Sequence, residues 1–279
     1  MPTRNPAHLL LPIDEHKDDR QFVTALARGL QVLKCFVSGD ELLGNQEIAQ
    51  RCCLPKSTVT RLTHTLTLLD FLHHDSKLGR YRLGMATLAL GGTTLSRLDA
   101  RDVSRPFMQT LANAVGCTVS LGVREGMSML HIQTTHSHEA LINVRLQLGS
   151  RVPLDSTAMG RAYMAGTRLP ARRSLMERMR NLIPERFALI KTAIEHACDE
   201  YAASGCCTSH GQWKSDVAAI ATSLRVGPGM PMMVLAASGP VHRMTPQYMH
   251  EVIRPQLLRT AWEIEQVLQP NAPRVQRAA

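Results

Sequence analysis

A predicted helix between residues 55 and 70 carries polar side chains whose types and spacing suit recognition of bases and phosphates. At 100° per residue, Leu62 and Leu66 fall close to Val59, and these three form a stripe that faces a core. The opposite face carries two hydroxyls, a guanidinium and an imidazole, on Ser57, Thr60, Arg61 and His64. Arginine can donate two hydrogen bonds to guanine, and hydroxyls bond to bases or phosphates. Lys56 and the free N–H groups at the helix start can hold a phosphate.

Two shorter helices are predicted before this one. Apolar residues recur at three- and four-residue steps from Phe22 to Phe36, and they predict a first helix with one buried stripe that includes Leu26 and Leu30. A turn with two glycines follows, and Asn45 is predicted to cap a short second helix. A tight turn then leads into the polar helix.

A β-hairpin is predicted after the polar helix. Extended runs at 71–74 and 80–83 flank a polar turn that ends in glycine. Three helices followed by a hairpin are the layout of a winged helix-turn-helix. The hairpin adds three basic side chains that can reach the DNA backbone, Lys77, Arg80 and Arg82. Residues 51–98 hold seven Lys and Arg against two Asp, a local excess that favours double-stranded DNA as a partner.

Composition limits the remaining classes of function. The chain has 279 residues, room for about two domains. Its net charge of +9 favours an anionic partner, whereas an aromatic content of 4% argues against stacking on single-stranded nucleic acid. No apolar run approaches the roughly 18–20 residues of a membrane span. The short apolar run near the N-terminus lacks the pattern of a signal peptide, so we expect a cytoplasmic protein with no membrane partner.

Neither the cysteines nor the histidines predict a metal site or a cofactor. The seven cysteines include two adjacent pairs but no C-x-x-C, so they are expected to be buried thiols. His136 and His138 can share one face of a strand, but two ligands without a third predict no metal.

The second half of the chain mixes both periodicities. A helix is predicted at 105–115, and a hairpin at 117–123 and 127–133. A strand at 140–148 and helices near 158–165 and 187–203 follow. A second strand pair spans 217–224 and 232–238, and a long helix from 245 to 268 is predicted to kink near Pro255. Strands in pairs with helices between them indicate an α+β domain with an antiparallel sheet.

Motifs in both halves, in consistent order over residues 20–268, point to one family. The first half contains RGLQVL at 28–33, EIA at 47–49, LPKSTVTRL at 54–62 and GRYRLG at 79–84. The second half contains GSRVPL at 149–154, STAMGRA at 156–162 and SGPVHRMT at 238–245. Together these motifs resemble the IclR family of bacterial transcriptional regulators. Arg28 and Thr58 lie within them and join the predicted DNA-binding residues.

The resemblance implies a winged helix-turn-helix, a linker helix and a GAF-like effector domain, assembled as a homodimer or a dimer of dimers. It also implies control of a catabolic operon by a small organic or aromatic acid. The expected division is a tail at 1–18, the DNA-binding domain at 19–84, the linker at 85–98, the effector domain at 99–270 and a tail at 271–279.

The resemblance also implies where an effector would bind. In the family the ligand lies against the sheet and touches the turn that corresponds to Ala158 and Met159. Relatives that bind glyoxylate use an Asp, a Cys and two Ser, and the matching positions here are Ser209, Ala219, Ala236 and Ser238. Because the carboxylate and the thiol are lost, a more apolar ligand than glyoxylate is expected.

Two further residues are candidates for the effector site. Arg145 lies within a predicted strand, where a guanidinium facing the pocket would hold a carboxylate, although an outward-facing arginine fits the same pattern. Trp213 precedes a strand and can stack on a ring or simply anchor its loop. Methionines can also line a larger cavity, namely Met127, Met129, Met159, Met232 and Met233.

Three classes of function therefore remain to be compared. The first is a ligand-responsive DNA-binding regulator, which is not an enzyme. The second is an enzyme acting on a small acid with a DNA-binding appendage, although no nucleophile elbow, Walker loop, dinucleotide fingerprint or H-E-x-x-H motif is present. The third is an RNA-binding protein, which the missing aromatic motifs disfavour. The combined motifs favour the first.

Overall fold

The computed structural model describes residues 13, 18–37, 40, 42–95, 99–137, 146–225, 227 and 230–268. Contacts divide the chain into two compact units, of which the first ends at Arg97 and the second begins at Leu98. Apart from Ile13 and Asp18, the predicted tails lie outside the described residues.

The N-terminal unit is a winged helix-turn-helix. Its helices are α1 (Thr24–Lys34), α2 (Asn45–Cys52), α3 (Lys56–Leu68) and α4 (Met85–Leu95). Its strands are β1 (Leu43–Gly44), β2 (Leu72–Asp75) and β3 (Arg80–Leu83), which form an antiparallel sheet in the order β1-β3-β2. One core joins α1, α2, α3 and β2. Each of them contributes an almost completely buried residue, namely Val32, Ile48, Val59 and Leu72. The wing hairpin and the three helices therefore share one apolar centre.

The buried side of α1 differs from the sequence prediction. Leu26 and Leu30 were expected inside, but they are 62% and 47% exposed. The buried side instead contains Ala27 and Gly29, next to Val32. Gly29 lies beside α3, since a Cβ built on it would be at the ordinary contact distance of 4.0 Å from the Leu62 side chain. The apolar period of α1 therefore includes residues that the core of this unit does not bury.

The start of α2 is a second correction. The N-cap is Gly44, not Asn45, and Glu47 in the first turn accepts a hydrogen bond from the Gly44 N–H at 2.8 Å. Asn45 is the first helical residue, and its amide oxygen accepts the Thr63 hydroxyl at 3.2 Å. Asn45 therefore joins α2 to α3 instead of capping α2.

The C-terminal unit is an α+β domain built on one antiparallel sheet. Its strands are β4 (Thr118–Glu125), β5 (Ser128–His136), β6 (Arg151–Pro153), β7 (Cys207–His210), β8 (Val217–Leu224) and β9 (Met233–Pro240). Their order is β6-β5-β4-β9-β8-β7. The helices are α5 (Asp99–Val115), α6 (Ala158–Gly166), α7 (Leu169–Leu182), α8 (Phe187–Ser204), α9 (Pro246–Tyr248) and α10 (Arg254–Leu268). The combination of an N-terminal helix-turn-helix with this sheet confirms the predicted fold class.

Helices cover both faces of the sheet. On one face α5 and α10 pack against residues such as Val119, Leu121 and Leu235. On the other face α6 and α8 pack against alternate residues such as Val234 and Ala236. Because successive strand residues point to opposite faces, each central strand contributes to two cores.

The elements that the sequence missed are β1 in the N-terminal unit and α7, β6 and β7 in the C-terminal unit. Most of the predicted strand at 140–148 lies outside the described residues. The predicted break in the last helix is present as a π-helical stretch, Met249–Ile253, between α9 and α10. Pro255 follows that stretch and has no N–H to donate within the helix, which explains the local widening.

Candidate functional site: the DNA-binding face and the sheet cavity

The exposed face of α3 presents most of the predicted DNA-binding residues. Val59 is fully buried, so the opposite side of the helix faces solvent. The exposed side chains on that side are those of Lys56, Ser57, Thr60, Arg61 and His64, whereas Thr58 is half-buried. The guanidinium of Arg61 makes no hydrogen bond within the part of the chain that the structure describes. It is therefore available to an external acceptor.

Thr60 is held more tightly than its neighbours. Its hydroxyl donates to the Lys56 carbonyl at 3.0 Å and lies 3.4 Å from the Asn45 amide nitrogen. Thr63, one turn further on, is completely buried and bonded to Asn45. These contacts fix α3 against α2, so the exposed face has a defined orientation in the unit.

The wing turn presents Lys77 at its tip. Asp75 accepts hydrogen bonds from the backbone N–H groups of Lys77 and Leu78, at 2.9 and 3.1 Å. Gly79 completes the turn with a φ of 62°, a conformation that favours glycine. Lys77 and Arg82 are both exposed, so the hairpin places positive charge in solvent.

Arg80 is engaged within the unit. Its guanidinium donates to the Leu42 carbonyl at 3.2 Å and lies 3.4 Å from the Glu47 carboxylate. Because Glu47 belongs to α2, Arg80 connects the wing to the second helix. Arg28, the other predicted residue outside α3 and the wing, is half-buried on α1.

The C-terminal unit contains a cavity on the α6 side of the sheet. Its volume is about 40 Å³, and almost all of its wall is apolar. The lining residues are Ser120, His131, Leu146, Val152, Thr157, Ala158, Met159, Trp213, Val217, Ala219, Ala236 and Ser238. Thr157 caps α6 by accepting the Gly160 N–H at 3.1 Å, so the first turn of that helix meets the cavity wall.

Six of the eight predicted effector residues line this cavity, namely Ala158, Met159, Trp213, Ala219, Ala236 and Ser238. The Ser209 hydroxyl lies elsewhere, 3.1 Å from the Ser156 carbonyl and 3.1 Å from the Gln212 side-chain oxygen. Arg145 lies outside the described residues. Among the candidate methionines, Met159 lines the cavity, whereas Met233 packs in the core on the other face of the sheet.

His131 lines the same cavity, and the sequence analysis did not single it out. It is only 2% exposed, and neither ring nitrogen has a hydrogen-bond partner in the described structure. Burial lowers the pKa of His131 to about 4. A bulge in β5 interrupts the strand alternation here, because Gly122 of β4 pairs with His131 while the preceding Leu121 pairs with Gln133. The sequence signal was a histidine between Leu130 and Ile132, and the bulge prevents alternation from assigning it to a face of the sheet.

Other classes of site receive no support from the described residues. No group of three His, Cys, Asp or Glu side chains there is arranged to hold a metal ion, and His136 instead lies 3.1 Å from the Thr118 hydroxyl. His138 is not described. None of the described helices is both long and apolar enough to cross a membrane.

A winged helix-turn-helix with an exposed basic recognition face, followed by a domain with an internal cavity, defines the class of two-domain DNA-binding regulators. The chain belongs to the IclR family of bacterial transcriptional regulators. Residues 25–76 match the IclR helix-turn-helix domain, and residues 92–266 match the bacterial transcriptional regulator IclR C-terminal domain.

Individual relatives agree with this assignment. The HTH-type transcriptional regulator TsaQ1/TsaQ2 of Comamonas testosteroni is 29% identical, over 95% of this chain and 96% of its own length. An IclR family regulator from Brucella abortus has a crystal structure with a TM-score of 0.79 and 37% identity, covering 89% of this chain and 94% of that one. An IclR homologue from Microbacterium hydrocarbonoxydans, complexed with 4-hydroxybenzoate, shares the fold with a TM-score of 0.64 and 23% identity, covering 88% and 100%.

Proposed function

We propose that this chain is a homodimeric regulator of a catabolic operon that binds a specific double-stranded operator. A small organic acid with an apolar or aromatic body controls that binding. The observation that carries the DNA-binding half is the exposed Arg61 on α3, opposite the buried Val59. An arginine placed in this way can read a guanine edge in the major groove. The exposed Lys56 at the helix start and Lys77 at the wing tip can contact phosphates.

The sheet cavity supports the sensing half of the proposal. Its apolar wall suits the body of an aromatic acid, and at about 40 Å³ the cavity must widen to admit one, which the flexible Met159 side chain in the wall allows. The Ser238 hydroxyl and the first turn of α6 offer donors for a carboxylate. Arg145 remains a predicted second partner for that carboxylate. The 4-hydroxybenzoate bound to the Microbacterium homologue supports an aromatic acid as the class of ligand.

The proposal of a homodimer is supported by large apolar side chains that are exposed to solvent in the single chain. On α1 these are Val23, next to the helix start, with Leu26 and Leu30, and on α4 they are Met85, Leu88 and Leu90. Exposed apolar patches of this kind typically mark protein interfaces. Replacing Leu26 and Leu88 with Glu should convert the dimer to a monomer in sedimentation equilibrium and should weaken operator binding.

One titration tests the proposed function. The operator is first located by footprinting the DNA upstream of the gene for this chain and of its neighbouring genes. The affinity of the protein for that operator is then measured by fluorescence anisotropy with and without 4-hydroxybenzoate. Binding of the acid should change operator affinity and should raise the thermal midpoint, since a ligand at 100 times its Kd adds about 2.7 kcal/mol of stability. Turnover of the acid by the purified chain would instead support the enzyme hypothesis. Binding of random DNA as tight as that of the operator would contradict the proposal.

A further inference from the structure

His131 is part of the wall of the sheet cavity, and neither of its ring nitrogens has a hydrogen-bond partner among the described residues. Among the described lining residues, His131 is the only one with an ionisable side chain. Buried polar groups in native proteins almost always have hydrogen-bond partners. A buried imidazole without one, in the wall of a cavity, can therefore pair with a polar group of a bound ligand.

The surroundings keep the imidazole neutral. Burial lowers its pKa, so at pH 7 one ring nitrogen is a donor and the other an acceptor. A hydroxyl can pair with either nitrogen, because it both accepts and donates and the tautomer can adjust. A carboxylate placed there would remain an uncompensated buried charge unless the ring took up a proton.

None of the described charged side chains on the surrounding elements is among the residues that line the cavity. These side chains belong to Arg124, Glu125, Arg151, Asp155, Arg161, Lys214 and Asp216. Arg151 pairs with Glu125 at 2.6 Å, and Asp155 lies 3.6 Å from Arg186. Arg124 donates to the Tyr163 hydroxyl at 3.1 Å, and Arg161 donates to the Thr208 carbonyl at 2.8 Å. Lys214 and Asp216 are exposed, with the Lys214 ammonium 4.6 Å from the Trp213 ring.

The strand register places His131 and Ser238 far apart. His131 is paired with Gly122 on one side of β4, whereas Ser238 is paired with Thr118 on the other side. The two positions therefore differ by four residues along β4 and lie on opposite flanks of it. A ligand that touches both must carry polar groups at two ends of its body.

We propose that His131 selects effectors that carry an uncharged hydroxyl group at the end opposite their carboxylate. This inference rests on the proposed function, in which the cavity is the effector site. The hydroxyl pairs with a ring nitrogen of His131, while the carboxylate lies toward Ser238 and the first turn of α6. Because the imidazole stays neutral, binding takes up no proton.

Calorimetry with two matched pairs of acids tests this selection. The full-length chain is titrated with 4-hydroxybenzoate and benzoate, and with 4-hydroxyphenylacetate and phenylacetate. The hydroxylated member of at least one pair should bind about tenfold tighter or more, since one hydrogen bond in a water-excluded site is worth about that factor. His131→Leu should remove the preference, and His131→Gln, which keeps a donor and an acceptor, should retain part of it. Ser238→Ala should weaken both members of a pair equally.

Each contrary outcome has a distinct meaning. Equal affinities within both pairs, or a preference that survives in His131→Leu, would overturn the role of His131. Titrations in buffers of different ionisation enthalpy report proton uptake, and uptake of about one proton per site would show that His131 holds the carboxylate instead. If a hydroxylated acid binds through His131 without changing operator affinity, the proposed function fails and this inference stands. If none of the four acids binds, both fail.

Discussion

Met159 occupies the space that any side chain at position 122 would need. A Cβ built on Gly122 would lie 2.5 Å from the Met159 sulfur and 3.2 Å from its methyl carbon. Gly122 is the β4 partner of His131, and Met159 belongs to the first turn of α6. The missing side chain in the sheet therefore lets the helix close the cavity next to the histidine.

We expect Gly122→Ala to weaken binding of 4-hydroxybenzoate, because the new methyl pushes the Met159 side chain toward the cavity. Overpacking of this kind also costs about 1–3 kcal/mol of stability. Calorimetry and thermal unfolding measure the two effects. In a Met159→Ala background the closest contact is gone and the Leu130 carbonyl oxygen, 3.2 Å from the built Cβ, remains, so the same substitution should cost less. Equal costs in both backgrounds would show that Met159 does not transmit the change.

Arg61→Ala should reduce the preference for the operator while the dimer remains folded. The expected loss is about 1–3 kcal/mol of discrimination for one arginine that reads a base. Anisotropy with operator and with random DNA measures that difference. Arg173→Ala removes the same charge from an exposed position on α7 and serves as the control. An Arg61→Ala protein with unchanged preference would contradict the assignment.

Lys77 and Arg80 should respond differently, although both belong to the wing region. Lys77→Ala should weaken operator and random DNA alike and reduce the slope of log K against log salt by roughly one unit per lost phosphate contact. Arg80→Ala removes the contacts to Leu42 and Glu47, so it should also lower the thermal midpoint of the N-terminal unit. Equal thermal midpoints for the two variants would show that the contacts of Arg80 with Leu42 and Glu47 do not stabilise the unit.

The sequence predicted the fold well wherever local signals agree with tertiary packing. The period of α3, with Val59, Leu62 and Leu66 on one side, correctly separates the buried side from the exposed polar side. The same reasoning was wrong for α1, because Leu26 and Leu30 are apolar yet face away from the single chain's core. Periodicity reports that a helix has an apolar side, but it does not tell a core from an interface with another molecule.

The cavity was predictable only in part, and for a related reason. Resemblance to the family placed Ala236 and Ser238 on the cavity face, and strand alternation is regular there. His131 could not be assigned to a face by alternation, because the β5 bulge shifts the register between it and Gln133. Its unmet hydrogen bonds become visible only when the sheet and α6 surround it.

His131 should also make the C-terminal unit sensitive to acid. Burial lowers its pKa from 6.5 to about 4, so between these values the unfolded chain binds a proton that the folded chain does not. The free energy of unfolding therefore falls as the pH falls through this range, by about 2 kcal/mol between pH 7 and pH 4.5 for this one group.

His131→Leu should remove that part of the acid sensitivity, which urea unfolding at the two pH values measures. At pH 7, without effector, the variant should be at least as stable as the natural chain, because it no longer buries two unmet polar atoms. His242→Gln, at an exposed histidine of the same unit, should keep the full pH dependence. If His131→Leu loses stability on acidification as steeply as the His242→Gln control does, His131 is already protonated or hydrogen-bonded in the folded chain. The cavity would then lack the neutral imidazole on which recognition of a hydroxyl depends.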